Sequence, residues 1–247
     1  MNTLFHAPCE LNILLENEVL ASILEVVEVA DTEIVLQFVN GNFKGTLAAG
    51  RHAFWRGIVK NEFVRGDLSK IEITENISVN LLEHNNLKYY VRKYIVSSND
   101  KALLFVNGNF VKELKAGTHY FWNNAVTIEV KTVDARQQQV EISGQELLTK
   151  DKAGLRINFF VRYQVVDIMK ALVDNKDFDK QLYVAMQLAL RAFVGGLTLD
   201  ELLAKKDSIA EAILAEVTAK ISDLGLVISD AGIRDVILPG DMKEIMN

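Results

Sequence analysis

The sequence is poor in the residues that staple or interrupt a fold. Cys9 is the single cysteine among 247 residues. Neither an internal disulfide nor a cysteine-rich zinc site can form, and a reducing compartment is the default. With two prolines, 49% hydrophobic and 24% charged residues, no stretch reads as a disordered tail or a proline-rich linker. Positive charge is nowhere concentrated: residues 1–95 carry 9 Lys/Arg against 12 Asp/Glu, residues 96–247 carry 18 against 21, and the net charge is -6. Nucleic-acid binding needs a basic stripe to neutralise phosphates, so a DNA or RNA partner is excluded. The longest apolar runs are four or five residues, far short of the ~20 that cross a bilayer, so no transmembrane helix is expected. The start lacks basic residues and Glu10 closes the first ten positions, so no signal peptide is expected either.

Catalytic and cofactor signatures are equally scarce. There is no G-x-x-x-x-G-K-[ST], no G-x-G-x-x-G between a strand and a helix, no H-E-x-x-H and no G-x-S-x-G, so no catalytic residue, cofactor or metal site is expected. The histidines His6, His52, His84 and His119 are scattered along the chain. Asp174, Asp177 and Asp179 crowd one loop, but it lacks the glycine and closing glutamate of a calcium-binding EF-hand; acids before a helix already favour its dipole.

What the sequence does have is an internal repeat. Phe38-Val39-Asn40-Gly41-Asn42-Phe43 recurs as Phe105-Val106-Asn107-Gly108-Asn109-Phe110, at an offset of 67. Leu47, Ala49, Gly50, His52, Phe54 and Trp55 return as Leu114, Ala116, Gly117, His119, Phe121 and Trp122, giving 12 identities over positions 38–55. Short apolar runs ending in Asn-Gly predict antiparallel hairpins, because that dipeptide tolerates positive φ at both turn positions. Asn40-Gly41, Asn107-Gly108, Trp55 and Trp122 are therefore read as turns and packing anchors, not as ligand platforms. His52 and His119, equivalent in the two copies, are read as packing residues.

Downstream the pattern changes. Residues 155–166 alternate with a period of two and predict a strand hairpinned with 140–148. Phe178–Val194 reads as an amphipathic helix ended by Gly195-Gly196. Thr198-Leu199-Asp200-Glu201 has the form of a capping box. A further helix is expected from Ser208 to Leu224, capped by Asp207 and stopped by Gly225, and a last strand from Leu226 to Leu238. At the other end, residues 10–25 form an amphipathic stretch whose Glu10, Glu16, Glu18 and Glu25 have no neighbouring Lys or Arg. Anionic lipid would repel it, so packing on the protein or on a neighbouring subunit is expected.

The fold class expected is α+β: two tandem small antiparallel β modules, then a core of β-hairpin, helices and final strand. The divisions are an acidic amphipathic segment at 1–28, β modules at 29–95 and 96–140, and the α+β part at 141–247.

This second half contains Asp134-x-Arg136-x-x-Gln139, Glu146–Asp151, and Val161-Arg162-Tyr163-x-Val165. It continues through Leu190-Arg191, Val194-Gly195-Gly196, and Ile233-Arg234-Asp235-Val236-x-Leu238-Pro239. In this order and spacing the set resembles the SPFH (band 7) domain of stomatins, prohibitins and slipins, with slipin-like bacterial members the nearest fit. The resemblance covers about 92–247. It implies a non-enzymatic, self-associating scaffold that organises membrane patches or cages membrane proteins such as a membrane protease. It also implies a homo-oligomer at a cytoplasmic location, peripheral to the membrane, with direct lipid contact left open. Asp134, Arg136, Arg162, Tyr163, Arg191, Gly195 and Pro239 are its motif positions. The family usually has an N-terminal hydrophobic anchor where this sequence has the acidic stretch and the extra β module. It usually continues past Leu238-Pro239-Gly240-Asp241-Met242 into a long charged helix, whereas this sequence stops at Asn247. The tandem modules also resemble the wall and shoulder of vault particles, which implies the alternative of a soluble cytoplasmic ring or shell.

Overall fold

Both Asn-Gly dipeptides turn through positive φ at each position, 52° and 79° at Asn40-Gly41 and 50° and 79° at Asn107-Gly108. These are the angles of a type I′ turn, whose twist matches that of the strands it joins. The computed structural model containing them describes residues 4–57, 59–205 and 209–238. The fold is α+β. The chain divides into two compact units, Met1–Ile95 with Thr118–Thr127, and Val96–Gly117 with Ile128–Asn247.

The elements begin with β1 (Leu4–Phe5), α1 (Leu11–Leu15) and α2 (Glu18–Ile23). Then come β2 (Leu24–Val29), β3 (Glu33–Val39), β4 (Asn42–Leu47), β5 (Gly50–Trp55), β6 (Asn61–Asp67) and the short α3 (Val79–Leu82). The second copy is β7 (Val91–Val96), β8 (Asp100–Val106), β9 (Asn109–Leu114), β10 (Gly117–Trp122) and β11 (Ile128–Asp134). All five strands of one copy lie 67 positions from their counterparts, and the strand orders agree: β4-β3-β6 against β9-β8-β11, and β5-β2 against β10-β7. The structural repeat therefore spans 24–67 and 91–134, so its first strand precedes the stretch of shared sequence. Each hairpin carries a bulge. Phe38 faces Phe43 but Gln37 faces Gly45, leaving Lys44 as the extra residue; in the second copy the extra residue is Val111.

The two tryptophans are not equivalent. Trp122 is fully buried with Ile34, Leu36 and Leu87, and its ring lies so close over Gly66 that a Cβ there would sit 2.7 Å away. At the position matching Gly66 the second copy has Val133, buried in the other core with Leu103 and Phe105. Trp55 is half-buried and stands edge-on to Phe5, ring centres 5.1 Å apart. Repetition of sequence has here produced one deep anchor and one surface one. His52 bonds through Nε2 to the Ala48 carbonyl at 2.8 Å and holds its own loop.

The amphipathic stretch over 10–25 is two short helices and the start of a strand. Glu16 ends the first and Asn17 caps the second, its side chain accepting from the Val19 and Leu20 amides at 3.0 and 3.2 Å. From Leu24 the branched residues pair with β5 instead, which puts Val27 in a strand core. Neither α1 nor α2 buries a side chain.

In the second unit β12 (Gln138–Leu148), β13 (Gly154–Val165) and β14 (Leu226–Ile237) form an antiparallel sheet in that order. Between β13 and β14 come a π-helical turn at Lys170–Asp174, then α4 (Phe178–Gly195), α5 (Leu199–Ala204) and α6 (Ile209–Asp223). The alternation of β13 sends Leu155, Ile157, Phe159, Val161, Tyr163 and Val165 into the core. There they meet Leu182, Met186 and Leu190 of α4, and Ile213, Val217 and Ile221 of α6, each set at helical spacing. The capping box is formed, Thr198 and Glu201 each accepting the other's amide. Asp207 and Pro239 lie outside the described residues.

Candidate functional site

The face of the β12-β13-β14 sheet turned away from that core carries paired charges. Arg162, on the middle strand β13, donates to Gln139 Oε1 at 3.0 Å on β12 and to the Asp230 carboxylate at 3.2 Å on β14. Arg156 donates to Glu146 at 3.1 Å, and Arg234 to Glu141 at 3.3 Å. The ladder follows from strand register, since Glu146 lies directly opposite Arg156 and Gln139 opposite Arg162. Between them the Phe160 ring lies over Gly232, where a Cβ would come within 3.0 Å of the ring, and the Arg162 guanidinium sits 5.4 Å from its centre. Each pair is exposed and worth little to stability singly.

Asp134 and Arg136 meet in the bend that leads into β12. The Arg136 guanidinium lies 3.0 Å from both Asp134 oxygens and its backbone N–H donates at 2.9 Å. These hydrogen bonds, the side-chain ones first, pull the Asp134 carboxyl down to about 2. Such a depressed group contributes its stabilisation above the ordinary carboxylate value and loses it as pH falls through about 2. Titration of the Asp134 carboxyl carbon by NMR is expected to show its midpoint near 2, and Arg136→Ala to return it to about 3.9. An ordinary midpoint in the unaltered protein would show the pair does not hold in solution.

Tyr163, beside Arg162 in sequence, points the opposite way. Its buried hydroxyl donates to Asp179 at the start of α4, with Gln138 Oε1 at 3.2 Å, and its ring stands edge-on to Phe178. Burial first, then the bond to Asp179, pushes the phenol up from its ordinary value. Arg191 is exposed on α4 and Gly195 ends that helix. Asp179 and Arg191 are twelve positions apart on α4, roughly 18 Å along its axis. The motif residues therefore occupy the bend, both faces of β13 and the far part of α4, and do not converge on one point. Sequence reasoning missed Gln138 and Asp230 and read Asp179 only as an acid before a helix; strand register and helix placement make them the partners of Tyr163 and Arg162.

At the turn end of this sheet is an open cleft of about 590 Å³, walled by Leu147, Leu148, Gly154 and Ile237 over the Glu146 and Arg156 pair. Its walls suit apolar groups. Among the described residues, no three His, Cys, Asp or Glu side chains come together to hold a metal ion. Nor is any described helix long and apolar enough to cross a membrane.

These features define an α+β domain whose three-stranded sheet carries charge pairs on its outer face. The pattern of the SPFH domain / Band 7 family matches residues 94–247, and the chain belongs to that family. It is 30% identical over 152 residues to an uncharacterised protein of Methanocaldococcus jannaschii, covering 62% of this chain and 75% of that one. A stomatin homologue of Pyrococcus horikoshii is 29% identical over 152 residues, covering 62% and 56%. Mouse stomatin is 25% identical over the same length, covering 62% and 54%. The chain thus spans little more than half of the two stomatin relatives' length.

Proposed function

We propose that this protein is a non-enzymatic, self-associating scaffold at the membrane periphery of the cytoplasm, organising membrane patches or holding partner membrane proteins such as a membrane protease. The match of 94–247 to the SPFH domain, with relatives named as stomatins, carries the reading. The sheet supports it: an exposed ladder of charge pairs bridging three strands is suited to recognising a complementary surface, and open edge strands are sites of chain-to-chain pairing. Fractionation of cells producing the protein tests it. The protein is expected to sediment with membranes and to be released by salt or detergent, and cross-linking in cells is expected to give a ladder of copies. Recovery wholly in the supernatant as a single copy would overturn it.

A second reading is a soluble ring or shell component. The five-strand repeat favours it, because Trp122 of the second copy completes the core of the first as stacked wall modules require. Recovery as a large assembly in the supernatant would favour this reading over the first.

A further inference from the structure

The duplicated module offers an internal comparison. In the first copy, strand β4 is partly covered: the Phe43 ring lies 5.1 Å from His84, and Leu81, Leu87 and Tyr90 belong to the same cluster. Its bulge residue is Lys44, exposed, and a lysine at a bulge is a usual way to keep an edge strand from pairing. In the second copy every residue from Asn107 to Glu113 is exposed. Phe110, held edge-on against Phe105, is 43% exposed, and the bulge residue is Val111, 47% exposed. An apolar pair thus stands where the first copy has a covered ring and a guarding charge. Lys112 and Lys115 lie beside it with Glu113 between them, a net positive charge over 109–115.

The N-terminal part of the chain has the complementary character. Residues 1–43 contain seven acids and no Lys or Arg. Within them α1 and α2 bury no side chain, and they expose Ile13 at 58% and Val19 at 68% beside Glu16 and Glu18. Helices of five and six residues are too short to be stable without packing. The acidic apolar surface matches the basic apolar one in both polarity and charge.

We propose that α1 and α2 of one copy dock on strand β9 of a second copy, Ile13 and Val19 against Phe110 and Val111, with Glu16 and Glu18 toward Lys112 and Lys115. This rests on the self-association proposed above and names its contact. Because the two surfaces differ, the contact is heterologous, each copy carrying one surface of each kind.

Sedimentation velocity on the full chain over a wide concentration range tests it. Val111→Lys, which installs the residue the first copy already carries at its bulge, is expected to weaken self-association about tenfold or more, with an unchanged circular dichroism spectrum. Lys112→Glu with Lys115→Glu is expected to weaken it likewise, and adding Glu16→Lys with Glu18→Lys to restore it. In a Cys9→Ser background, chains carrying Val19→Cys and Val111→Cys are expected to form a disulfide with each other when mixed. Association of the unaltered chain that Val111→Lys leaves untouched would overturn this contact while leaving the scaffold reading in place. A chain that stays single at every concentration would overturn both. A disulfide closing within one doubly substituted chain would make the occupant the same copy and overturn the proposal.

Discussion

Replacing Trp122 by alanine is expected to destabilise the first unit by about 3–5 kcal/mol, a large share of the ~5–15 kcal/mol typical of a domain. The side chain is fully buried, wedged against Ile34 and Gly66, and no small movement fills the hole it would leave. Trp122→Phe is expected to cost far less. Phenylalanine keeps most of the packing and removes an indole N–H that is buried and has no acceptor among the described residues. Urea unfolding followed by fluorescence and circular dichroism measures both. The emission of Trp122→Ala is also expected to shift to the red, because half-buried Trp55 is then the only tryptophan. An unchanged unfolding midpoint for Trp122→Ala would mean the ring is not the anchor of this core.

Gly225→Ala is expected to be as damaging in the second unit. Gly225 ends α6 with φ at +77°, where an L-residue costs ~1–2 kcal/mol. Its carbonyl accepts from the Val166 and Asp167 amides at 2.9 and 3.0 Å, tying the end of β13 to the start of β14. A Cβ would lie 2.2 Å from the Asp167 carbonyl oxygen and 3.1 Å from the Ala171 amide, both backbone atoms that cannot swing aside. Strain and overpacking together put the loss on the order of 3 kcal/mol or more. Gly41→Ala provides the contrast, since that glycine has the same positive φ but open space around it. Its loss is expected to be confined to about 1 kcal/mol of turn strain. Thermal unfolding of the two variants checks the difference, and equal melting temperatures would show that the close approach at Gly225 is relieved by movement.

Much of this architecture was legible where chemistry is local. Asn-Gly specifies its own turn, and Thr198 and Glu201 their own cap, whatever lies around them. The first strand of the repeat was less so. Over β2 and β7, Val29 and Val96 are the only identical pair, because a strand needs only suitable alternation to pair with β5 or β10. The break at Asn17 was overlooked because a hydrophobic pattern can run on through a residue that stops a helix. The SPFH motif positions were readable as a set, yet their work was not. Arg162 and Tyr163 adjoin in sequence and serve opposite faces, and their partners Asp230 and Asp179 come from elements that the strand pattern alone does not locate. Similarly, Gly66 and Val133 look like an ordinary mismatch between repeats until Trp122 is seen to occupy the space the glycine leaves.

That tryptophan also sets a schedule for synthesis. The strands of the first copy are complete once Asp67 has been made, but the residue that fills the face formed by Ile34 and Leu36 arrives only at position 122. At a ribosomal rate of ~5–20 residues per second, the delay is about 3–11 seconds. For that interval the nascent sheet shows water an unfilled apolar face at Gly66, a surface on which a chaperone or another nascent chain can settle. The first copy is thus translated early and finished late, and its maturation is timed by its own duplicate.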